Sequence, residues 1–138
     1  MKTSTITAEF AAAPAQIWAI VTDQQNTGWR SDLDRVEVVS DTEFVEYTKR
    51  GFATHFRITD IEPVKTYAFS MENQNFTGEW RGTFSETSQG GSRIVFTEQL
   101  KMKKPMMRLV AHVFMNLQKM QRKYVRDLEI ALEREDIA

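Results

Sequence analysis

Cysteine is absent from the sequence, which excludes disulfides, thiolate nucleophiles and Cys-type zinc sites. Histidine occurs only at His55 and His112, so no His-rich metal centre is expected. No Ser or Cys nucleophile with an orienting third group can be assigned beside either ring, and the sequence calls for no cofactor. Long apolar runs are missing too. No stretch approaches the ~20 residues that cross a bilayer, and "MKTSTITAEF" alternates where a signal peptide would carry an apolar block. The expectation is a cytoplasmic protein without a transmembrane segment. A net charge of −1 and a pI near 6.1 give no pull toward nucleic acid. With 41% hydrophobic and 27% charged residues among 138, the chain fits one globular domain over residues 1–138.

What is present is ordered by periodicity. Residues 3–10 alternate, with Ile6, Ala8 and Phe10 on one side and Thr5, Thr7 and Glu9 on the other, the signature of a half-buried strand. Pro14 then sits where a helix can begin, because the first turn leaves its missing N–H unpaired anyway. Ile17, Trp18 and Val21 share a helical face, and a second short helix is expected near Gln24 to Trp29. From residue 33 to 101 the pattern becomes six strands: "LDRVEVVS", "TEFVEYTK", "FATHFRITDI", "KTYAFSME", "FTGEWRGTFSE" and "SRIVFTEQLK". The short separators favour antiparallel neighbours in a meander. Beyond Lys104 the apolar period switches to that of a helix, in a stripe from Met106 through Leu109, Val113, Leu117 and Tyr124 to Leu132. One long helix over residues 104–134 is expected, covering the apolar face of the sheet.

The stretches "FAAAPAQIWAIVTD", "WRSDL", "ITDIEP", "FTGEWRGTF", "GGSRIVFTE" and "YVRDLEIALE" resemble the START-like (SRPBCC) superfamily, specifically its bacterial polyketide cyclase/dehydrase branch. The resemblance covers nearly the whole chain. It implies an α+β helix-grip fold: a curved antiparallel sheet of about seven strands wrapped around a long C-terminal helix, with two short helices after strand one and a cavity between sheet and helix. Members differ in what that cavity does. Some bind or transfer lipids, some bind other apolar ligands, some close polyketide rings, and some are protein adaptors, so the fold alone does not assign a function.

Three features carry candidate chemistry. Gly78 and Gly82 flank Trp80 on one strand face; they either leave ligand space beside an aromatic wall or permit the sheet to bend. Glu98 shares parity with Ile94, Phe96 and Leu100, which points a carboxylate inward, where desolvation would raise its pKa and suit it to proton transfer or ligand gripping. Glu46 has the same parity with Phe44, with a weaker case. Trp29 and Arg30 either line a pocket mouth, with Arg30 meeting a ligand carboxylate, or form a small satellite core with a solvated Arg30. Between Lys101 and Arg126 the sequence is basic and free of acids, which suits either an anionic partner or a solvated polar face. Strand parity and helix face select Trp29, Phe56, Phe69, Trp80, Phe96, Glu98, Leu109, Val113, Phe114 and Leu117 as cavity-lining residues. The function expected is binding of a small, largely apolar or amphipathic ligand. The alternative is a cyclase or dehydratase using Glu98 as its acid, and the third is an adaptor.

Overall fold

A computed structural model describes residues 1–106 and 116–137, apart from the side chains of residues 136 and 137. Strand β1 (Lys2–Phe10) leads into helix α1 (Pro14–Val21), followed by β2 (Leu33–Val38), β3 (Glu43–Thr48), β4 (Ala53–Glu62), β5 (Thr66–Glu72), β6 (Phe76–Glu86), β7 (Ser92–Met102) and helix α2 (Leu117–Ile137). The strands form one antiparallel sheet in the order β1-β7-β6-β5-β4-β3-β2. The expected meander is present, and β1 returns to pair with its last strand. Period-two alternation fixes which face is dry: Phe44 opposes Phe56, Phe56 opposes Met71, Phe69 opposes Trp80, and Trp80 opposes Glu98. A register shift between Ile58 and Asp60 adds curvature to the sheet.

Helix α2 lies over this dry face with Leu117, Gln121, Val125, Leu128 and Leu132 buried, a spacing of three and four residues that only a helix can supply. Gln121 is the one polar member of that stripe, and it is satisfied. Its amide donates to the carbonyls of Ser4 (3.0 Å) and Phe96 (3.2 Å), and its oxygen accepts from the Ser4 hydroxyl at 2.7 Å. The helix is thereby pinned to β1 and β7. Lys119, Arg122, Lys123 and Arg126 occupy its exposed side.

Two helical expectations are revised. Asn116 is not helical: its side-chain oxygen accepts the Lys119 N–H at 3.0 Å and its carbonyl accepts the Met120 N–H, so it caps the start of α2 and breaks the continuous helix expected over 104–134. Residues 107–115, including Leu109, His112, Val113 and Phe114, lie outside the described residues. The second short helix near Gln24 to Trp29 is replaced by turns. There Asp23 accepts the Gln25 N–H and the Asn26 amide at 3.1 and 2.8 Å, and such side-chain bonds compete with helical ones.

Helix α1 closes one end of the sheet. Ile17 and Val21 are buried, and Trp18 stands edge-on to Tyr67 and Phe84 at 6.0 and 5.1 Å.

One turn is strained. Between β4 and β5 the Lys65 N–H bonds the Glu62 carbonyl, and Val64 adopts a φ of 63°. With Pro63 before it, this is the pattern of a type II turn, whose third position favours glycine. A β-branched residue there costs about 1–2 kcal/mol. Val64→Gly is expected to raise stability by roughly 0.5–1 kcal/mol after its own entropic cost. Chemical denaturation measures this, and an unchanged or lowered midpoint would contradict the strain.

Candidate functional site

Between the dry face of the sheet and α2 lies a cavity of about 330 Å³. Its wall is a run of aromatic rings. Phe56, backed from the core by Phe44 stacked on it at 4.9 Å, meets Phe69 edge-on at 5.1 Å. Phe69 then stacks on Trp80 at 4.9 Å, Trp80 leans on Phe96 at 4.8 Å, and Phe96 meets Tyr124 of α2 at 5.7 Å. Trp29 completes the run, edge-on to Tyr124 at 5.2 Å. Phe52 (39% exposed) and Met120 (52% exposed) also line the cavity, which places them at its open rim.

The glycines flanking Trp80 leave no empty ligand space. A Cβ on Gly82 would fall 2.6 Å from the Trp80 ring and 3.0 Å from Phe96, and one on Gly78 would fall 2.5 Å from Leu100 and 2.6 Å from the Gln99 carbonyl. The volume is already filled. Gly82 is small so that the indole can lie over it and present a flat face to Phe69.

The polar end is organised by Arg30. Its guanidinium grips Asp32 through two bonds (Nε 3.2 Å, Nη2 2.8 Å) and donates to Glu46 at 2.8 Å. The Arg30 and Glu46 side chains are each only 13% exposed, and Arg30 stacks 5.0 Å from the centre of the Tyr124 ring. Burial alone would lower the Arg30 pKa, but the charges of Glu46 and Asp32 outweigh it and keep the guanidinium charged. Burial pushes the Glu46 carboxyl up, against the pull of Arg30. Arg30 is therefore neither solvated nor free to take a ligand carboxylate.

Glu98 faces the cavity from β7, as its parity implied. No hydrogen bond or ion pair reaches its carboxylate among the described residues. Burial, reinforced by Glu46, pushes its pKa from 4.5 up to about 7 despite the opposing pull of Arg30. The Tyr124 hydroxyl, on the helix opposite, also lacks a hydrogen-bond partner among the described residues, and burial raises its pKa. Tyr67, also raised by burial, accepts from Gln24 at 3.1 Å. The Trp29 indole N–H is buried without a partner among the described residues.

Of the ten residues selected from the sequence, Trp29, Phe56, Phe69, Trp80, Phe96 and Glu98 line the cavity. Leu117 instead packs into the core at 2% exposure. Leu109, Val113 and Phe114 fall outside the described residues. His55 sits on the exposed side of β4 opposite Glu72. Sequence reasoning missed the roles of Asp32, Gln24, Met120 and the Tyr124 hydroxyl. The signal for Asp32 was available: an acid two residues after Arg30 on a turn. The tertiary pairing of Arg30 with Glu46, 16 positions away, had no local signature.

Two outcomes follow from this geometry. A Cβ at position 82 must displace Trp80 or Phe96, so Gly82→Ala is expected to cost about 1–3 kcal/mol and to alter the near-ultraviolet dichroism of the tryptophans. An unchanged midpoint and spectrum would contradict the packing. For Glu98, the folded pKa lies above the unfolded one, so its contribution is complete below about pH 4.5 and is lost as the pH rises through 7. The displacement from 4.5 to about 7 corresponds to roughly 3 kcal/mol at most. Glu98→Gln is thus expected to gain stability over the parent progressively from pH 4.5 to 8.5, and a pH-independent difference would contradict the burial.

The chain matches the family described as polyketide cyclase / dehydrase and lipid transport over residues 1–133. No curated protein matches it. Solved structures do. Protein MLL2253 from Mesorhizobium loti superposes with a TM-score of 0.77 at 15% identity, covering 96% of this chain and 98% of its own. A START superfamily protein from Mycobacterium smegmatis gives 0.76 at 14%, covering 96% and 97%. DynU16, a putative protein in the dynemicin biosynthetic locus, gives 0.74 at 12%, covering 96% of this chain and 48% of its own. The helix-grip fold is shared with these structures, and the match over residues 1–133 makes the chain a member of the polyketide cyclase / dehydrase and lipid transport family.

Proposed function

We propose that the chain binds one small, largely apolar or amphipathic molecule in the cavity under α2. The observation that carries this is the cavity itself: about 330 Å³, walled by stacked aromatic rings and open at Met120 and Phe52, within the size range of small-molecule sites. Burial of ligand surface at about 25 cal/mol per Å² supplies the driving force. Trp29, Phe56, Phe69, Trp80 and Phe96 provide the apolar contacts, and Glu98 with the Tyr124 hydroxyl fixes the orientation of a polar group. The lipid transport named in the family description agrees with this use of the cavity.

A second reading is favoured by Glu98. A carboxyl group with a pKa near 7 in a cavity that Tyr124 also lines is poised to exchange a proton with a bound molecule. Such a step would make the chain a cyclase- or dehydratase-type enzyme. In that case Glu98→Gln abolishes turnover and retains binding. The adaptor reading gains nothing from a cavity of this size.

The binding reading is tested with N-phenyl-1-naphthylamine, a fluorescent apolar probe uncharged at neutral pH. Titration is expected to saturate at one probe per chain. Met120→Trp, which narrows the rim at an exposed position, is expected to weaken binding by roughly tenfold with an unchanged denaturation midpoint. Binding that ignores the rim substitution would place the probe elsewhere.

A further inference from the structure

The charged groups that line the cavity are unequal in number. Among the described residues Asp23, Asp32, Glu46 and Glu98 face it with carboxyl groups, and Arg30 is the single cation. That cation is committed: three hydrogen bonds tie it to Asp32 and Glu46, and its upper face is covered by the Tyr124 ring. Asp23 is also engaged, by the Gln25 N–H and the Asn26 amide. Glu98 differs from all of these. It is half-buried, lines the cavity from the middle of β7, and has no partner among the described residues. A buried carboxylate left without a partner is costly, and the cost falls when a cation is brought to it.

From this cavity charge and the unpartnered Glu98 carboxylate, we infer that the bound molecule is an amphipathic amine, its ammonium group paired with Glu98 and its apolar body against the aromatic wall. The inference rests on the binding reading above and narrows it to a ligand class. Three features of the site act in the same direction. An ammonium donates to the Glu98 carboxylate and leaves further N–H groups for the Tyr124 phenol oxygen, which has an acceptor to offer. Trp80 and Phe96, on β6 and β7, line the same cavity as Glu98, and an aromatic wall favours a cation over an anion through its ring quadrupoles. A ligand carboxylate meets the opposite situation, because the guanidinium that would receive it is occupied by two acids of the chain itself, and Glu98 repels it. Fatty acids and other apolar anions are thereby disfavoured.

Three probes with one apolar body separate these cases by isothermal titration calorimetry at pH 7.5: 2-(1-naphthyl)ethylamine, 2-(1-naphthyl)ethanol and 3-(1-naphthyl)propionate. The amine is expected to bind about tenfold more tightly than the alcohol, and the acid about tenfold more weakly than the alcohol, as charge-assisted bonds and like-charge contacts imply. In Glu98→Gln the amine-to-alcohol affinity ratio is expected to fall from about ten to about one. An acid that binds as well as the alcohol, or an amine preference that survives Glu98→Gln, would overturn the inference and leave the binding reading standing. If none of the three probes binds, and N-phenyl-1-naphthylamine also fails, both fall together. The comparison among probes on the parent protein needs no variant, so the inference stays open to refutation even if Glu98→Gln does not fold.

Discussion

The contact of Arg30 with Glu46, both largely buried, and with the more exposed Asp32 is the interaction on which the rest of this site depends. It ties the segment between α1 and β2 to the inner face of β3, and Tyr124 closes over it from α2. Three parts of the chain are therefore held at one end of the cavity by a single guanidinium. A buried pair of this kind owes its persistence to geometry, because the attraction only offsets the desolvation of both partners when the bonds are short and the remaining donors are satisfied. Here each guanidinium nitrogen donates to an acid, two of the three bonds being 2.8 Å long. Ser31 reinforces the arrangement by donating its N–H and hydroxyl to Asp127 of α2, each at 2.8 Å.

Everything on the apolar side follows from keeping rings in contact while leaving room beside them. Strand parity supplies the rings, and the absence of a side chain at Gly82 lets Trp80 lie flat enough to stack on Phe69. The helix stripe is anchored by Gln121, not by apolar contact alone, so α2 has a fixed height above β1 and β7. A fixed height is what keeps the cavity from collapsing under the favourable burial of its own walls. The same construction leaves Glu98 half-buried on the cavity wall without a partner among the described residues, and its raised pKa is the electrostatic mark of that position.

The parts of this account that rest on local periodicity were legible from the amino-acid order. The seven strands, their inner faces and the inward orientation of Glu98 all follow from alternation along short segments, where a one-residue slip would put every apolar group in water. The helix boundary at Asn116 was not legible, because the apolar stripe runs through it and hides the cap. The glycines were left between ligand space and sheet bending for a different reason: sequence shows that a side chain is missing, but not which neighbour fills the gap. Arg30 was ambiguous on composition alone. Its partners come from β3 and from the turn that follows it, and only the folded chain brings Glu46 within 2.8 Å.

The cavity presents at Glu98 a half-buried carboxyl group without a partner among the described residues. The most direct measurement is a carbon-13 NMR titration of the glutamate carboxyl resonances, with the Glu98 signal assigned by its loss in Glu98→Gln. That signal is expected to titrate near pH 7 in the ligand-free protein. A Glu98 midpoint in the ordinary range near 4.5 would mean that the carboxylate is solvated or paired, and would remove the physical basis for its role in the site.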